Sequence, residues 1–219
     1  MKVFVAGATG KTGKLIVKQL VDQDIAVTAL VRNPEKAQEI LPQETNVIVG
    51  DVLKTSTYSA ALADCQVLIC ATGASPSLDP SGPYQVDYQG TKNLVETAQA
   101  NNIDHFILVS SLCVSRFFHP LNLFWLVLYW KKQAEKYIQA SGIPYTIVRP
   151  GGLKDEDNSD NIVMSGADTL FEGSIPRSKV AQVCVEALSD SQAKSKIVEI
   201  IASADATKKT LPQLFADVV

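Results

Sequence analysis

Residues 3–20, VFVAGATGKTGKLIVKQL, set Gly7, Gly10 and Gly13 between a short apolar run and a helical pattern. A G-x-x-G-x-x-G spacing after a strand and at the head of a helix constrains the fold more than any other feature of the chain. Glycines permit the tight turn and let the backbone approach a pyrophosphate. The helix N-terminus behind them offers free N–H groups and the positive end of its dipole. A nucleotide-hydrolase phosphate loop is the rival, because Gly10-Lys11-Thr12 matches the end of its motif. That motif needs a glycine five residues before Gly10, where Val5 stands inside the strand, so the spacing excludes it.

The rest of the chain alternates β-branched runs with helical patterns. Strands are expected at 2–6, 25–31, 46–49, 67–71, 105–110, 145–149 and 197–202, and helices near 11–22, 34–41, 56–63, 84–101, 122–141, 178–189 and 211–218. Continuous runs such as VLICA and HFILVS suit strands covered on both faces, as in parallel sheets. The alternation predicts an α/β fold with a doubly wound parallel (Rossmann) sheet of about seven strands and helices on both faces. One domain over 1–219 is expected. The Asp- and Asn-rich stretch 151–173 reads as a small substrate-facing insert, and 73–83, with three prolines, as a loop.

Composition narrows the function classes. The chain is 46% hydrophobic and 20% charged with a net charge of −3, which suits a globular domain and gives no basic excess for nucleic acid. Four cysteines without C-x-x-C spacing and two histidines, His105 and His119, argue against a metal site or a disulfide framework. They read as reduced core thiols of an intracellular protein. No run is long and apolar enough to span a bilayer, and MKVFVAG reads as a first strand and not a signal peptide.

The end of the second strand selects the cofactor. Dinucleotide folds that prefer NAD place an acidic residue there for the ribose 2′-hydroxyl. This chain reads TALVRNPEK, with Arg32 and no acid beside it. A guanidinium suits a 2′-phosphate, and Lys11 adds a second positive charge, so NADP(H) is expected. The bland alternative is that Arg32 is a solvated surface charge. Asp51 after the third strand could accept the adenine amino group, and Ala71-Thr72-Gly73 follow the fourth. Ordinary turn chemistry could account for both.

With these residues in place, the chain resembles an atypical short-chain dehydrogenase/reductase of the NAD(P)-binding, NmrA-like kind. The resemblance spans nearly the whole chain through GATGKTG, LVRNPEK, GDV, QVDYQGTKNLVETA, ILVSSL, WKKQAEKYIQASGIPYTIVRPGGL and IPRSKVAQVCVEAL. LNLFWLVLYWKKQAE and DTLFEG are similar to the dehydrogenase domain of the redox-sensing subunit of the chloroplast inner-envelope protein translocon and its cyanobacterial relatives. That subunit's Pro/Ser-rich extension, which docks ferredoxin–NADP reductase, has no counterpart in these residues, so that partnership is not expected here. The resemblance implies that Gly7, Thr9, Gly10, Lys11, Thr12 and Gly13 form the pyrophosphate loop. It puts Arg32 on the 2′-phosphate, Asp51 with Val52 at the adenine, and Ala71, Thr72 and Gly73 beside the adenosine ribose. Lys131 is implied at the nicotinamide ribose, Ser110 near the nicotinamide, and Pro150, Gly151, Gly152 and Leu153 against its amide. Ser110 and Lys131 are the catalytic candidates.

The catalytic pattern of that superfamily, Tyr-x-x-x-Lys, is broken. With Lys131 as the lysine, the tyrosine position is Val127; with Lys132 it is Leu128. Neither moves a proton. Tyr129 is about 200° around a helix from position 127, toward the opposite face. Two readings survive. One is an oxidoreductase passing hydride to a small-molecule acceptor, flavin- or quinone-like, without a tyrosine acid, with Ser110 or Ser111 orienting it. The other is a non-enzymatic NADP(H)-dependent redox sensor or adapter. Cys113 near the nicotinamide end reads as an inert buried thiol. The stretch 117–130, FFHPLNLFWLVLYW, has eleven apolar or aromatic residues of fourteen. It reads as a buried helix, packed on the sheet and on a second copy of itself; as a peripheral membrane contact; or as the wall of an apolar pocket. A cytoplasmic or stromal-type location is expected, with 117–130 as the candidate for homodimer or membrane-surface contact.

Overall fold

The computed structural model describes residues 1–74 and 79–218. The elements run β1 (Lys2–Ala6), α1 (Gly13–Val21), β2 (Ala26–Val31), α2 (Pro34–Ile40), β3 (Asn46–Val49), α3 (Ser59–Ala63), β4 (Val67–Cys70), α4 (Thr91–Ala100), β5 (His105–Val109), α5 (Val127–Ala140), β6 (Tyr145–Pro150), β7 (Gly152–Lys154), β8 (Asn161–Gly166), β9 (Ser174–Pro176), α6 (Arg177–Glu186), β10 (Lys196–Ser203) and α7 (Leu211–Asp217). The main sheet has eight strands in the order β3-β2-β1-β4-β5-β6-β10-β8, all parallel except β8, which runs antiparallel to β10. β7 and β9 form a separate parallel pair.

The buried strands are apolar on both faces because helices cover both. Along β1, Val3 and Val5 join one core with Ile16, Val17 and Leu20 of α1 and Val180 and Cys184 of α6. Phe4 and Ala6 point the other way, into a core with Leu62, Leu94, Val95 and Ile138 from α3, α4 and α5. The period of two along each strand divides the side chains between the two cores. All four cysteines are free and buried.

Three expectations need correction. The sheet has eight strands and not about seven, and the stretch 151–173 supplies the additional one. β8 lies inside it and forms the antiparallel edge, and the same stretch supplies β7 of the small pair. Its polar residues fit an edge strand, which has one face and one side in water. The expected helix 84–101 is two pieces, a π-helical stretch Pro83–Gly90 followed by α4. Gly90 lets this segment close on β3's following turn, since a Cβ there would stand 2.7 Å from Val52 Cγ2. The expected loop 73–83 is described only at its ends, because 75–78 lie outside the described residues.

The third correction concerns 117–130. A helix beginning at 122 does not form. Pro120–Leu123 is one 3-10 turn, Trp125 and Leu126 both take left-handed backbone, and α5 starts at Val127. The buried Asn122 fixes this break. Its Oδ1 accepts from the N–H groups of Leu128 at 2.9 Å and Tyr129 at 3.1 Å, satisfying donors that the first helical turn leaves open. The residues before α5 are not a buried helix. Phe118 is 97% and Leu123 83% exposed, and Phe117, Phe124 and Trp125 are exposed with them.

At the other end of the sheet, His105 opens β5 in the core, 1% exposed. Thr146 Oγ1 donates its only proton to the Ala193 carbonyl at 2.7 Å, so His105 Nε2 must donate to Thr146 Oγ1 at 2.9 Å. Nδ1 has no partner among the described residues. Burial, with Lys194 nearby, pushes the imidazole pKa down to about 4. The folded state therefore holds this ring neutral while the unfolded chain takes a proton near pH 6.5. Stability from this source is complete above about pH 6.5 and drains as pH falls toward 4. Urea melts at pH 7 and 4.5 should show His105→Gln losing about 2 kcal/mol less on acidification than the parent protein. Equal losses would disprove the assignment.

Candidate functional site

The carboxyl ends of the parallel strands form one rim. Following the strand order, the nominated residues lie along it as Asp51 and Val52 after β3, Arg32 after β2, the glycine loop after β1, and 71–73 after β4. Ser110 after β5 and 150–153 at the end of β6 complete the series. The chain's winding reverses between β1 and β4, the place where doubly wound sheets open a crevice.

The glycine loop is built by close backbone contacts. Gly7 has φ +81°, and a Cβ there would stand 2.6 Å from the Ala71 carbonyl carbon. A Cβ on Gly13 would meet Gly7 O at 2.1 Å. The Gly10 N–H donates to Gly7 O at 2.9 Å. The N–H groups of Lys11, Thr12 and Gly13 have no acceptor among the described residues. Open donors at a helix start beside a side-chain-free turn fit a dinucleotide pyrophosphate.

Arg32 is exposed directly after β2 and has no ion-pair partner among the described residues. Lys11 does not point to a shared site with it in this state. Its ammonium is 2.6 Å from Asp155 Oδ2, while Arg177 Nη1 is 2.7 Å from Asp155 Oδ1. The Lys11 hydrogen bond, working against slight burial and helped by Arg177, holds the Asp155 carboxyl below its usual range. Asp51 Oδ1 accepts from the Leu53 N–H at 2.9 Å, a turn-stabilising bond that leaves Oδ2 uncommitted.

α5 carries two lysines, and the structure separates their tasks. Lys132 Nζ lies 3.7 Å from Glu135 Oε2. Lys131 Nζ lies 2.7 Å from Asp87 Oδ1 and 4.0 Å from where a Gly73 Cβ would be, so it is Lys131 that faces the fourth-strand turn. Burial works against the Lys131 charge, but Asp87 outweighs it and the pKa rises. Asp87 Oδ2 also accepts from the Ala74 N–H at 3.2 Å. Asp87 was not foreseen. Its signal is the π-helical stretch, an irregularity that often marks a functional region.

A second group missed from sequence is a buried charged network. Arg149 of β6 is 0% exposed. Its Nε and Nη2 donate to Glu135 at 3.0 and 2.7 Å, and Nη1 donates to Glu199 at 3.0 Å and Asp168 at 2.8 Å. Glu199 in turn accepts from the N–H groups of Asp168, Thr169 and Leu170. Ser110 Oγ donates to Glu135 Oε1 at 2.6 Å. Ser110 is thus engaged with the network, and its neighbour Ser111 is the less committed hydroxyl at the strand end.

A cleft of about 470 Å³ opens beside them, lined by residues 110–113, His119, Leu121, 150–153, 171–173 and Arg177. A shallower hollow of about 680 Å³ lies at the opposite, amino-terminal end of the strands and touches none of the nominated residues. Cys113 Sγ is 3.1 Å from the Phe171 carbonyl, and burial, opposed by Arg116, pushes its thiol up. His119 Nδ1 accepts from the Leu121 N–H at 3.2 Å and serves as a cap.

The family model described as NAD(P)H-binding matches residues 7–191. An uncharacterised chloroplastic protein of Arabidopsis thaliana is 46% identical over 230 residues, covering 99% of this chain and 82% of that one. The chloroplastic protein TIC 62 of Pisum sativum is 39% identical over 231 residues, and the chain spans only 43% of its length. Sanguinarine reductase of Eschscholzia californica is 29% identical over 91% of this chain and 88% of its own. A solved structure from Bacillus halodurans, assigned to the NAD-dependent epimerase/dehydratases, superposes with a TM-score of 0.88 at 25% identity, covering 99% of both chains.

Removing the guanidinium leaves buried Glu199 without its counter-charge and Glu135 with only the Lys132 ammonium at 3.7 Å. Arg149→Met should cost about 3–5 kcal/mol in urea unfolding at neutral pH. A loss under about 1 kcal/mol would mean that the two carboxylates find other protons or partners.

Proposed function

The chain belongs to the NAD(P)H-binding family, and from that premise we propose that it is an NADPH-dependent oxidoreductase passing hydride to a flavin- or quinone-like acceptor without a tyrosine acid. The observation that carries this reading is the surroundings of Lys131. Val127 stands one helical turn before it, and Asp87 holds its ammonium. Tyr129, the nearest phenol in sequence, packs edge-on against Trp130 with ring centroids 5.0 Å apart. A carbonyl acceptor would become an alkoxide and need a proton as it formed. A conjugated ring spreads the new charge and takes its proton from water.

Reduced nicotinamide, when bound, supplies the hydride: two electrons and one proton. The protein's own groups bind and orient. The open N–H groups of the glycine loop take the pyrophosphate. Lys131, held in place by Asp87, takes the ribose hydroxyls beside Gly73, and 150–153 limit the nicotinamide. Ser111 offers a hydroxyl to the acceptor. The relative named sanguinarine reductase supports reductase chemistry on this chain's plan. Arg32, exposed where a 2′-phosphate would arrive, supports NADPH over NADH. A stromal-type compartment is supported by the chloroplastic relatives.

A second reading, a non-enzymatic NADP(H)-dependent sensor or adapter, is favoured by one observation, the exposed apolar side chains of 117–126 beside the cleft. Apolar surface of this extent suits contact with a second copy or a membrane surface.

NADPH oxidation by the purified protein should proceed with a flavin or a quinone and fall at least about tenfold in Lys131→Ala. Turnover of small aldehydes would overturn the acid-free reading, and tight NADPH binding without any turnover would move the weight to the sensor. Arg32→Ala should weaken NADPH binding by about tenfold or more, the equivalent of a lost charge-assisted bond, and leave NADH little changed. Equal weakening of both cofactors would remove the NADPH preference.

A further inference from the structure

We propose that Arg177 is the anion-recognition residue of the acceptor cleft, so that the acceptor is a planar ring carrying a phosphate or carboxylate arm and not a neutral quinone. The inference rests on the oxidoreductase reading above and names its substrate class.

Arg177 is the first residue of α6 and the one arginine or lysine among the residues lining the cleft. Its side chain is 18% exposed, so most of the cost of taking it from water is already met. In this state its Nη1 is occupied by a carboxylate, Asp155 Oδ1 at 2.7 Å. Asp155 itself is 58% exposed on the turn after β7 and is shared with Lys11. An ion pair with so exposed a partner adds little and exchanges readily for a better-placed anion. A carboxylate of the protein therefore stands where an anionic ligand group would sit, and a guanidinium can hold phosphate or carboxylate through two parallel bonds.

The rest of the cleft suits a flat ring. Leu121, Leu153 and Phe171 present apolar surface to it, each at least 36% exposed in this state. The guanidinium carbon of Arg116 lies 3.7 Å from the centre of the Phe171 ring and fixes its orientation. Gly151 and Gly152 contribute backbone without side chains, and Gly151 must be glycine, because a Cβ would meet Gly173 O at 2.6 Å. Among the described lining residues Arg177 is the one arginine or lysine and Glu172 the one carboxylate, so an aromatic acceptor fits the apolar side with its charged arm turned to Arg177 and away from Glu172.

Flavin mononucleotide and riboflavin share one ring and differ in the phosphate, so they test the arm alone. Binding of each to the NADP⁺-saturated protein is read by quenching of flavin fluorescence, and turnover by NADPH oxidation. The expected result is at least a tenfold preference for flavin mononucleotide in both readouts. Arg177→Gln should bring the preference to within twofold of unity, Arg177→Lys should restore part of it, and circular dichroism melts check that each variant folds. Asp155→Asn, which removes the competing carboxylate, should tighten flavin mononucleotide severalfold. Equal or absent binding of the two flavins in the parent protein overturns the proposal. So does an Arg177→Gln variant that loses NADPH affinity and keeps the flavin preference, which would place the guanidinium on the dinucleotide. If neither flavin is reduced, the hydride-transfer reading fails, and the binding preference still decides the role of Arg177.

Discussion

A guanidinium with no exposure to water ties the β5, β6 and β10 side of this fold together. Arg149 lies on β6, Glu135 on α5, Glu199 on β10 and Asp168 on the turn after β8. A buried charge of either sign is costly alone, and Arg149 is the shared partner of two buried carboxylates, Glu135 and Glu199, and of the partly exposed Asp168. Ser110 joins through Glu135, so the end of β5 is set by the same network. Glu199 also satisfies three successive backbone N–H groups at 168–170, which positions the turn leading to Phe171. The cleft walls on two sides thus inherit their placement from one arginine. Hydrophobic packing of similar volume would often be as stable. What the ionic version adds is directional: it fixes where Ser110 and the 168–171 turn stand relative to the sheet.

The β1 and β4 side depends on a different constraint, the absence of side chains. Gly7 and Gly13 have no room for a Cβ against Ala71 and Gly7 itself. That contact brings the first loop onto the fourth-strand turn and leaves the N–H groups of 11–13 open. Lys131 meets the same turn from α5 through Asp87 and Ala74. The two sides therefore join at 71–74, between β1 and β5, where the sheet's winding reverses.

The sheet was legible because its strands are continuous apolar runs and its first loop has a spacing with one physical use. The glycine loop, Arg32, Asp51 and 71–73 follow from those two facts, whereas Ser110, Lys131 and 150–153 were implied by the family resemblance alone. β8 was not legible, because an edge strand needs little apolar character and NIVMSG sits among aspartates and asparagines. Arg149 reads from sequence as one charge in VRPGG; its partners are 14, 19 and 50 residues away, and no local pattern connects them. The apolar run before α5 misled for the opposite reason. Its composition suits a buried helix, but Pro120, the Asn122 side chain and two left-handed residues stop the helix from starting before 127. Periodicity cannot register a side chain that caps a helix five residues downstream.

The valine at 127 has consequences that go beyond a missing acid. Residues 127 and 131 are one turn apart, so a tyrosine there would share its helix face with Lys131. With valine, that position offers no hydrogen-bond donor. Leu112, Leu121, Leu153 and Phe171 give the neighbouring cleft an apolar side, and Ser111, His119, Glu172 and Arg177 give it a polar one. A localised oxyanion formed beside Lys131 would lack the phenol donor that a tyrosine at 127 supplies. A delocalised anion loses much less, because its charge is spread over a ring and can reach solvent at the cleft mouth. Lys131 keeps its proton more firmly because Asp87 sits against it, so it orients and attracts but is a poor proton source. Position 127 and the Asp87 carboxylate held against Lys131 weigh against localised-charge chemistry. They favour an acceptor whose own electrons absorb the hydride's charge.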